Sequence, residues 1–370
     1  MKKILVTGSA GFIGRNLVVA LRRRKDIEVR TFDLEDSPEA LDAAVREAEI
    51  IYHLAGVNRP QLVEEFFEGN TGLTRKILDL LRQYQKTPRI VMSSSIQADL
   101  DNPYGLSKKA AEDDLFDFAR ETGADVRVYR FPGVFGKWSR PNYNTVVATF
   151  CHNIARGIEI SISDPKREIE LVYIDDLVEE YLALVDAAPA QINDFCRVGK
   201  TFKVTLGELS GRIQSYKDMR RTLIMPDFAD EFTQRLYATY ISFLPEEGFS
   251  YPLEVRADDR GDLFELIKSD YLGQIFLSRT KKGITRGNHY HDTKVEKFCV
   301  VKGKAVIRFR QVLGSEVIEY PVSEEKIEVI DIPPGYTHSI ENTGDEEMIV
   351  LFWADQRFDP ARPDTYFLEV

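Results

Sequence analysis

Three histidines and one glutamate form the most specific pattern in the sequence. His289 and His291 are separated by one residue, Glu296 follows five positions later, and His338 lies further along the chain. Alternate residues of a strand point to the same side, so the two neighbouring histidines can converge on one point. Imidazole and carboxylate groups together suit a divalent transition metal. We therefore predict a metal site formed by His289, His291, Glu296 and His338.

A second group of residues has the chemistry needed to protonate a carbonyl oxygen. Tyr104 and Lys108 are four positions apart, which places them on one face of a helix. A nearby ammonium stabilises a phenolate and lowers the tyrosine pKa from its usual value of about 10. The phenol can then give its proton to a ketone while hydride reaches the carbon. Ser95, at the end of the preceding predicted strand, can hold the same oxygen, so we predict these three residues as catalytic.

A glycine-rich turn, residues 7–14, follows the first predicted strand and opens the first predicted helix. Glycines let the backbone approach a pyrophosphate that lies at the helix N-terminus. Asp33 ends the second predicted strand, where a carboxylate can accept hydrogen bonds from ribose hydroxyls. The pattern predicts a dinucleotide site that includes Gly8, Gly11, Phe12, Ile13, Gly14 and Asp33.

The elements that must position these residues are of two kinds. The first two hundred residues alternate short apolar runs with amphipathic helical patterns, which predicts a doubly wound α/β Rossmann-type parallel sheet. From about Phe249, short strands follow one another with glycines between them, which predicts an all-β sandwich or barrel. We predict two domains, residues 1–245 and 246–370, with a linker in Phe243–Tyr251.

Individual elements follow from the same patterns. The predicted strands of the first domain are Ile4–Thr7, Val29–Asp33, Ile50–Leu54, Ile90–Ser93 and Val126–Arg130. Predicted helices include Asn16–Arg24, Leu73–Tyr84 and Lys108–Glu121. The predicted strands of the second domain are Gln274–Arg279, Glu296–Val301, Ala305–Gln311, Ile318–Val322, Lys326–Asp331 and Met348–Trp353.

Composition limits the partners of the chain. The net charge is -11, which disfavours long-range attraction to nucleic acid or anionic membranes. Cys151, Cys196 and Cys299 form no CxxC pair, so neither a disulfide framework nor a cysteine zinc site is expected. The sequence has no apolar run near the roughly 18 residues of a membrane span. We expect a cytoplasmic protein that binds neither nucleic acid nor membrane.

Residues 1–245 resemble the extended short-chain dehydrogenase/reductase family. The resemblance is carried by the glycine turn, the tyrosine–lysine pair, His53–Gly56, Arg130–Gly136 and Tyr173–Asp176. It implies a nicotinamide cofactor that also contacts Leu54, Ala55, Gly56, Tyr104, Lys108, Pro132 and Val134. Ser95-Ile96-Gln97 stands where the 4,6-dehydratases of this family carry Thr-Asp-Glu, which favours carbonyl reduction over dehydration.

Residues 250–370 resemble the cupin family through the spacing of the glycines, histidines and glutamate. Within this region, Asp259–Glu265 and Gly283–Tyr290 resemble segments of nucleotide-sugar 3,5-epimerases. The resemblance implies that Arg260 and Arg286 bind the sugar diphosphate and that His289 is a catalytic base. A metal-bound imidazole cannot also be a free base, so the role of His289 is open between ligand and base.

The whole architecture resembles bifunctional enzymes that make UDP-2-acetamido-2,6-dideoxy-β-L-talose for bacterial capsule and O-antigen. His53–Pro60, Phe135–Trp138 and Pro363–Val370 carry this narrower resemblance. The substrate implied is a UDP-linked 4-keto-6-deoxy amino sugar, epimerised at C3 by the cupin and reduced at C4 with NADPH. Zinc in the cupin and a homodimer formed through the cupin are also implied. Asp33 would repel the 2′-phosphate of NADPH, so NADH is an alternative.

Three other functions are compatible with the sequence. The first is a nucleotide-sugar 4-epimerase that retains its cofactor and carries an accessory cupin. In the second, the cupin is a structural or sugar-sensing module, since a structural metal uses the same ligands. The third is an iron-dependent oxygenase, which the ligand types also allow.

Overall fold

The computed structural model describes residues 1–190, 195–254, 256–258, 261–263, 267, 273–356 and 360–370. The chain divides into two compact units, of which the first comprises Met1–Val134 with Glu170–Lys203 and the second Phe135–Ile169 with Val204–Val370. The domain boundary between residues 245 and 246 stays a prediction. None of the helices within these described ranges is both long and apolar enough to cross a membrane.

Five parallel strands form the sheet of the first unit. In chain order, the elements up to residue 135 are β1 Lys2–Thr7, α1 Phe12–Arg22, β2 Ile27–Phe32, α2 Pro38–Glu47, β3 Ile50–His53, α3 Glu64–Phe66, α4 Leu73–Tyr84, β4 Arg89–Ser95, α5 Pro103–Thr122, β5 Val126–Phe131 and β6 Gly133–Phe135. The strand order is β2-β1-β3-β4-β5. This order confirms the predicted Rossmann-type α/β fold.

The strand order makes the carboxyl ends of β1 and β3 the expected position of a ligand in this type of sheet. Strand β1 lies between β2 and β3, and the chain leaves β1 towards β2 and leaves β3 towards β4. The loops that follow the adjacent carboxyl ends of β1 and β3 therefore lead in opposite directions. Thr7 and His53 are register partners at those two ends. The strands are apolar because helices cover both faces of a parallel sheet, and all four residues of β3 are buried.

The middle of the chain supplies further helices. Its elements are α6 Val146–Ala155, β7 Glu168–Tyr173, α7 Ile174–Asp186, β8 Phe202–Thr205, α8 Leu206–Thr222 and α9 Glu231–Ile241. Helix α7 packs on α1 in the first unit. Helices α6, α8 and α9 pack on one another in the second. The start of α8 is fixed by a capping box in which Thr205 and Glu208 bind each other's backbone amides.

Two five-stranded sheets dominate the rest of the second unit. The strands are β9 Ser250–Pro252, β10 Arg256–Asp258, β11 Gly261–Leu263, β12 Gln274–Thr280, β13 Thr285–Tyr290, β14 Glu296–Lys302, β15 Lys304–Gln311, β16 Val317–Ser323, β17 Glu328–Ile332, β18 Tyr336–Asn342, β19 Met348–Ala354 and β20 Tyr366–Phe367. Their orders are β12-β19-β14-β17-β9 and β16-β15-β18-β13-β20. The antiparallel pairing confirms the predicted all-β, cupin-like class.

The segment predicted as a linker is closely packed. Phe249 is buried, and its ring lies 5.3 Å from that of Tyr336 and 5.6 Å from that of Phe309. The next residues form β9, which pairs with β17. Burial of a Phe side chain contributes about 2 kcal/mol, so this segment is part of the β-sheet core.

Candidate active sites

The glycine turn after β1 has a backbone that only glycine accommodates at two positions. Gly8 has φ +68°, and a Cβ there would lie 2.6 Å from the backbone of Ala55. A Cβ on Gly14 would lie 2.1 Å from the carbonyl oxygen of Gly8. Helix α1 begins after Gly11, which has no side chain to occupy the first amide groups. Phe12 and Ile13 open the helix, so these amides face the position where a pyrophosphate binds in such folds.

Asp33 lies directly after β2, next to the glycine turn. Its Oδ2 accepts a hydrogen bond from the backbone amide of Ala10 at 2.9 Å and another from the hydroxyl of Ser9. The backbone amide of Asp33 donates to Asp36 at 2.7 Å. The two carboxylates make this end of β2 negatively charged.

The remaining predicted cofactor residues lie after the carboxyl ends of β3 and β5. Leu54, Ala55 and Gly56 follow β3, and the Ala55 amide donates to the hydroxyl of Thr7 at 3.3 Å. Pro132 lies between β5 and β6, and Val134 is the central residue of β6. The strand order places the ends of β3 and β5 on the same side of β1, with β4 between them.

Ser95, Tyr104 and Lys108 are brought together after β4. Ser95 is the last residue of this strand, and Asn102 caps α5 by accepting a hydrogen bond from the Gly105 amide at 2.9 Å. This cap places Tyr104 in the first turn and Lys108 one turn later. Burial raises the pKa of Tyr104, and a hydrogen bond from Ser95 opposes this shift. The phenol therefore keeps its proton near neutral pH and is available as an acid.

Lys108 is almost completely buried, with 4% of its surface exposed. Its Nζ donates to the carbonyl oxygen of Ser93 at 3.3 Å. Burial lowers the pKa of Lys108 to about 8, against the opposing effect of Glu112. A Cβ on Gly56 would lie 2.8 Å from the same Nζ, so the loop after β3 packs directly against the lysine.

Asn70 connects two segments of the candidate reductase site, and the sequence analysis did not single it out. It lies in a π-helical turn, Phe67–Gly72, between α3 and α4. Its Oδ1 accepts from the amide of Val57 at 2.9 Å, and its Nδ2 donates to Ser107 at 2.9 Å. The π turn thus ties the loop after β3 to the helix of Lys108. Such turns are frequent at functional sites, but an asparagine within a helical pattern gives no sequence signal.

The predicted metal ligands come from both sheets of the second unit. His289 of β13 and His338 of β18 are register partners on one sheet. Glu296 is the first residue of β14, which belongs to the other sheet, and His291 lies in the turn between β13 and β14. One ligand atom of each of the four residues lies within 4.8 Å of all the others.

The charges of this cluster are strongly coupled. Burial alone would raise the pKa of Glu296, but His291 and His338 hold it well below its usual range. Burial and the two other histidines lower the pKa of His289 to about 4, so its ring is neutral near pH 7. Oε2 of Glu296 lies 3.2 Å from Nε2 of His291 and 3.7 Å from Nε2 of His338. Burial lowers the pKa of His291, but the hydrogen bond and charge of Glu296 outweigh this effect and raise it. Metal binding requires the ionised carboxylate and neutral imidazoles, so a bound metal ion would replace a proton in this cluster.

Unsatisfied ring nitrogens also fit a cation. Nε2 of His291 and both ring nitrogens of His338 are buried and have no hydrogen bond of good geometry to any residue that the structure describes. Buried polar atoms without partners are costly, and a divalent ion would satisfy them. The donor set therefore fits a metal.

Of the two predicted phosphate-binding arginines, only Arg286 lies within the described residues. Arg286 lies on β13, three residues before His289, where its side chain is exposed and donates to the carbonyl oxygen of Arg279 at 3.2 Å. Arg260 lies outside the described residues. Both assignments stay predictions.

Comparisons with known proteins match both parts of the chain. The model of the NAD dependent epimerase/dehydratase family matches residues 4–195, and that of the polysaccharide biosynthesis C-terminal domain matches residues 256–366. A UDP-2-acetamido-2,6-beta-L-arabino-hexul-4-ose reductase from Pseudomonas aeruginosa is 43% identical over 368 residues, which cover 100% of this chain and 99% of that protein.

Solved structures agree with these matches. The crystal structure of the capsular polysaccharide assembling protein CapF from Staphylococcus aureus is 47% identical, with a TM-score of 0.68 and complete coverage of both chains. A UDP-glucuronic acid 4-epimerase from Bacillus cereus covers 59% of this chain and 83% of its own, at 17% identity and a TM-score of 0.53, and so shows the fold alone. The chain therefore belongs to the NAD-dependent epimerase/dehydratase family and, over its full length, to the family of the UDP-2-acetamido-2,6-beta-L-arabino-hexul-4-ose reductases.

Proposed function

We propose that this enzyme carries out two successive steps on one UDP-linked 4-keto-6-deoxy amino sugar. In the first, the cupin inverts C3 of UDP-2-acetamido-2,6-dideoxy-L-arabino-hex-4-ulose. In the second, the nicotinamide-dependent reductase part reduces the C4 ketone to give UDP-2-acetamido-2,6-dideoxy-β-L-talose. This product would be the precursor of UDP-N-acetyl-L-fucosamine for capsule or O-antigen.

One observation carries the proposal. The same chain holds a reductive set, Ser95, Tyr104 and Lys108, and a buried three-histidine, one-carboxylate cluster. A ketone makes the neighbouring C–H acidic, because the resulting charge spreads onto oxygen as an enolate. Reduction of the ketone removes that acidity, so an epimerase followed by a reductase fixes the new stereochemistry. The full-length match to a protein named as a hexulose reductase supports the reduction step.

The reductase residues have separate roles in the proposal. Bound reduced nicotinamide supplies the hydride that reaches C4. Tyr104 donates its phenolic proton to the C4 oxygen, and the Ser95 hydroxyl holds that oxygen in place. The Lys108 ammonium stabilises the phenolate that remains. Glycines 8, 11 and 14 and the loop after β3 hold the dinucleotide.

The choice of nicotinamide depends on Asp33. The resemblance of the whole chain implies NADPH, yet the Asp33 carboxylate would face the adenosine ribose at the end of β2. Asp36 adds a second negative charge beside it. Repulsion of a 2′-phosphate at this position supports NADH as the better cofactor.

The cupin residues would catalyse exchange of the proton at C3 with solvent. A bound divalent ion, which we take to be zinc, supplies positive charge that stabilises an enolate oxygen. His291, Glu296 and His338 are the buried donors that would hold it. The neutral ring of His289 either completes the ligand set or takes the C3 proton. Arg260 and Arg286 would bind the diphosphate as bidentate guanidinium groups.

A homodimer formed through the cupin is also part of the proposal. Strand β12 is at the edge of its sheet. Three consecutive apolar residues on it, Ile275, Phe276 and Leu277, are 47%, 37% and 63% exposed. An exposed apolar edge strand readily pairs with a second chain, which supports this face as the contact.

The direct test uses the full chain in heavy water with the UDP-linked 4-keto-6-deoxy amino sugar and either NADH or NADPH. We expect one equivalent of nicotinamide to be oxidised and one deuterium to enter the product at C3, from protein that holds about one divalent metal per chain. Inversion of C4 in a UDP-sugar that carries a C4 hydroxyl, without added nicotinamide, would instead indicate a 4-epimerase that retains its cofactor. Reduction without deuterium would reject epimerisation.

A further inference from the structure

Residues 363–369, here named the strap, lie along the strand that carries His289. Within the strap, β20 pairs with β13 at His289 and Tyr290. The Leu368 amide donates to the carbonyl oxygen of Asn288 at 2.9 Å. The hydroxyl of Thr337, next to His338, donates to the carbonyl oxygen of Leu368. The strap therefore borders the metal cluster on two neighbouring strands.

The carboxylate of Asp364 holds the turn that follows His291. Its Oδ1 accepts from the amide of Asp292 at 3.0 Å, and its Oδ2 accepts from the amides of Thr293 at 3.0 Å and Lys294 at 2.8 Å. The hydroxyl of Thr293 also donates to Oδ2 at 2.8 Å. Charge-assisted hydrogen bonds of this kind are about twice as strong as neutral ones. One side chain thus fixes three consecutive residues between two predicted metal ligands.

The backbone of Asp364 reaches His291 itself. Its carbonyl oxygen lies 2.6 Å from Nδ1 of His291. A carbonyl oxygen can only accept, so Nδ1 carries the proton of this contact, and in the neutral ring the lone pair that can bind a metal is then on Nε2. Nε2 is the atom that faces Glu296, 3.2 Å away. The contact therefore selects the tautomer and the ring orientation that a ligand needs.

Asp364 adopts φ +38°, in the left-handed region that aspartate tolerates better than most residues. Left-handed backbone at this position lets the carbonyl point at His291 while the carboxylate points at the turn. Lys294 holds the strap from the other side, since its Nζ donates to the carbonyl oxygen of Pro363 at 2.9 Å and to Thr365 at 3.2 Å.

We propose that Asp364 is a positioning residue for the metal site, which holds His291 by its carbonyl oxygen and the 292–294 turn by its carboxylate. The inference rests on the proposed metal-binding function of the cupin. Its consequence is that metal retention and ligand geometry depend on a residue 73 positions away from the ligand that it orients.

The test compares full-length Asp364→Gly with the wild type. Glycine keeps the carbonyl group and accepts φ +38°, so this variant removes the side chain with its carboxylate and keeps the contact of the carbonyl oxygen with His291. We expect Zn²⁺ to bind about 10- to 100-fold more weakly, the range typical for loss of such a partner, and to be released faster to a chelator. The visible spectrum of the Co²⁺-loaded protein should change as well, because it reports ligand geometry and not fold stability. Asp345→Asn, at an exposed ion pair with Lys282 in the same unit, is the matched control and should behave as wild type.

A second variant keeps the test decisive if Asp364→Gly does not fold. Lys294→Gln removes the ammonium that binds Pro363 and Thr365 on either side of Asp364, while Asp364 itself is unchanged. This variant should also release Zn²⁺ faster and alter the Co²⁺ spectrum. Wild-type release rates and spectra in the folded variants would overturn the positioning role alone. A wild-type protein that binds neither Zn²⁺ nor Co²⁺ would overturn the metal-binding proposal itself.

Discussion

Nζ of Lys108 donates a hydrogen bond of 3.3 Å to the carbonyl oxygen of Ser93, at a position where the lysine is 4% exposed. This is a buried cation held mainly by a neutral acceptor. Burial lowers its pKa from 10.5 to about 8. The buried charge of Lys108, the predicted catalytic cation, therefore lowers the stability of the fold by an amount that depends on pH.

The first prediction concerns Lys108→Met in the cofactor-free protein. One pKa unit corresponds to about 1.4 kcal/mol, so a shift from 10.5 to about 8 makes folding up to about 3 kcal/mol less favourable while the lysine is charged. Below pH 8 both states of the wild type are protonated and the full penalty applies. Between pH 8 and 10.5 the unfolded state binds more protons, so wild-type stability rises with pH. Lys108→Met should therefore be the more stable protein at pH 7, and this advantage should vanish by about pH 10.5.

Denaturant unfolding measured by circular dichroism at several pH values checks this prediction. The chain's two tryptophans, Trp138 and Trp353, both lie in the second unit, so their fluorescence identifies transitions of that unit. The Lys108 effect should appear in circular dichroism and leave the fluorescence transition unchanged. A variant that is less stable than wild type at pH 7 would contradict the burial argument.

The second prediction concerns Asp33→Ser. Removal of the carboxylate at the end of β2 should raise the ratio of kcat/KM for NADPH to that for NADH by about tenfold or more, since a like-charge contact costs more than 1.4 kcal/mol. Steady-state kinetics with both cofactors measures this ratio. Asp36→Asn, which removes the neighbouring charge, is the matched control and should change the ratio less. An unchanged ratio in Asp33→Ser would place the ribose away from this carboxylate.

The third prediction concerns a buried charge network in the second unit. Asp331 is fully buried, and its carboxylate lies 2.5 Å from Nζ of Lys297 and 3.1 Å from Arg220 of α8. Asp331→Asn keeps the shape but leaves Lys297 buried without a counter-charge. Loss of one partner of a buried pair costs about 3–5 kcal/mol.

Tryptophan fluorescence during urea unfolding measures this loss. Asp345→Asn, at an exposed pair, is the control and should change stability by less than about 1 kcal/mol. A similarly small loss in Asp331→Asn would show that Lys297 is neutral or hydrated. The network also ties α8 to β14 and β17, so a cupin fragment that begins at residue 246 would lack Arg220.

Much of the fold followed from the sequence because its signals are local. The predicted helix Leu73–Tyr84 matches α4 at both ends, and Gln274–Arg279 differs from β12 by one residue. Strand β13 was not predicted as an element. Its sequence includes Gly287 at φ +100° and Asn288 at φ +53°, and the register shifts there as in a β-bulge. Glycine and asparagine lower strand propensity, so the residues that precede the predicted ligand His289 gave no strand signal in the sequence.

Residues of the candidate sites could be predicted only where the side chain itself is a reactive or metal-binding group. His289 and His291 stood out because imidazoles are rare in this chain and these two are one residue apart. The expected alternation along one strand was wrong for His291, which lies in the turn after β13. The contact of Asp364 with His291 could not be predicted, since every residue has a carbonyl group and only tertiary structure selects one. Asn70 was missed for a related reason. A π-helical turn sets the position of its side chain, and no side-chain pattern in the sequence indicates such a turn.

The central claim is that the cupin epimerises the ketone before the reductase acts on it. Tyr104→Phe removes the phenolic proton donor and should lower nicotinamide oxidation by about 100-fold or more. It should leave the second unit and its metal site intact. His289→Ala should slow exchange at C3 whether His289 is a ligand or a base.

A proton NMR time course of the UDP-linked ketone in heavy water, with the Tyr104→Phe protein, tests this claim most directly. We predict that the C3 proton is replaced by deuterium while the C4 ketone stays unreduced, and that adding His289→Ala to this variant slows the exchange. If Tyr104→Phe with its full metal content left the C3 proton in place, the cupin would not be the epimerase.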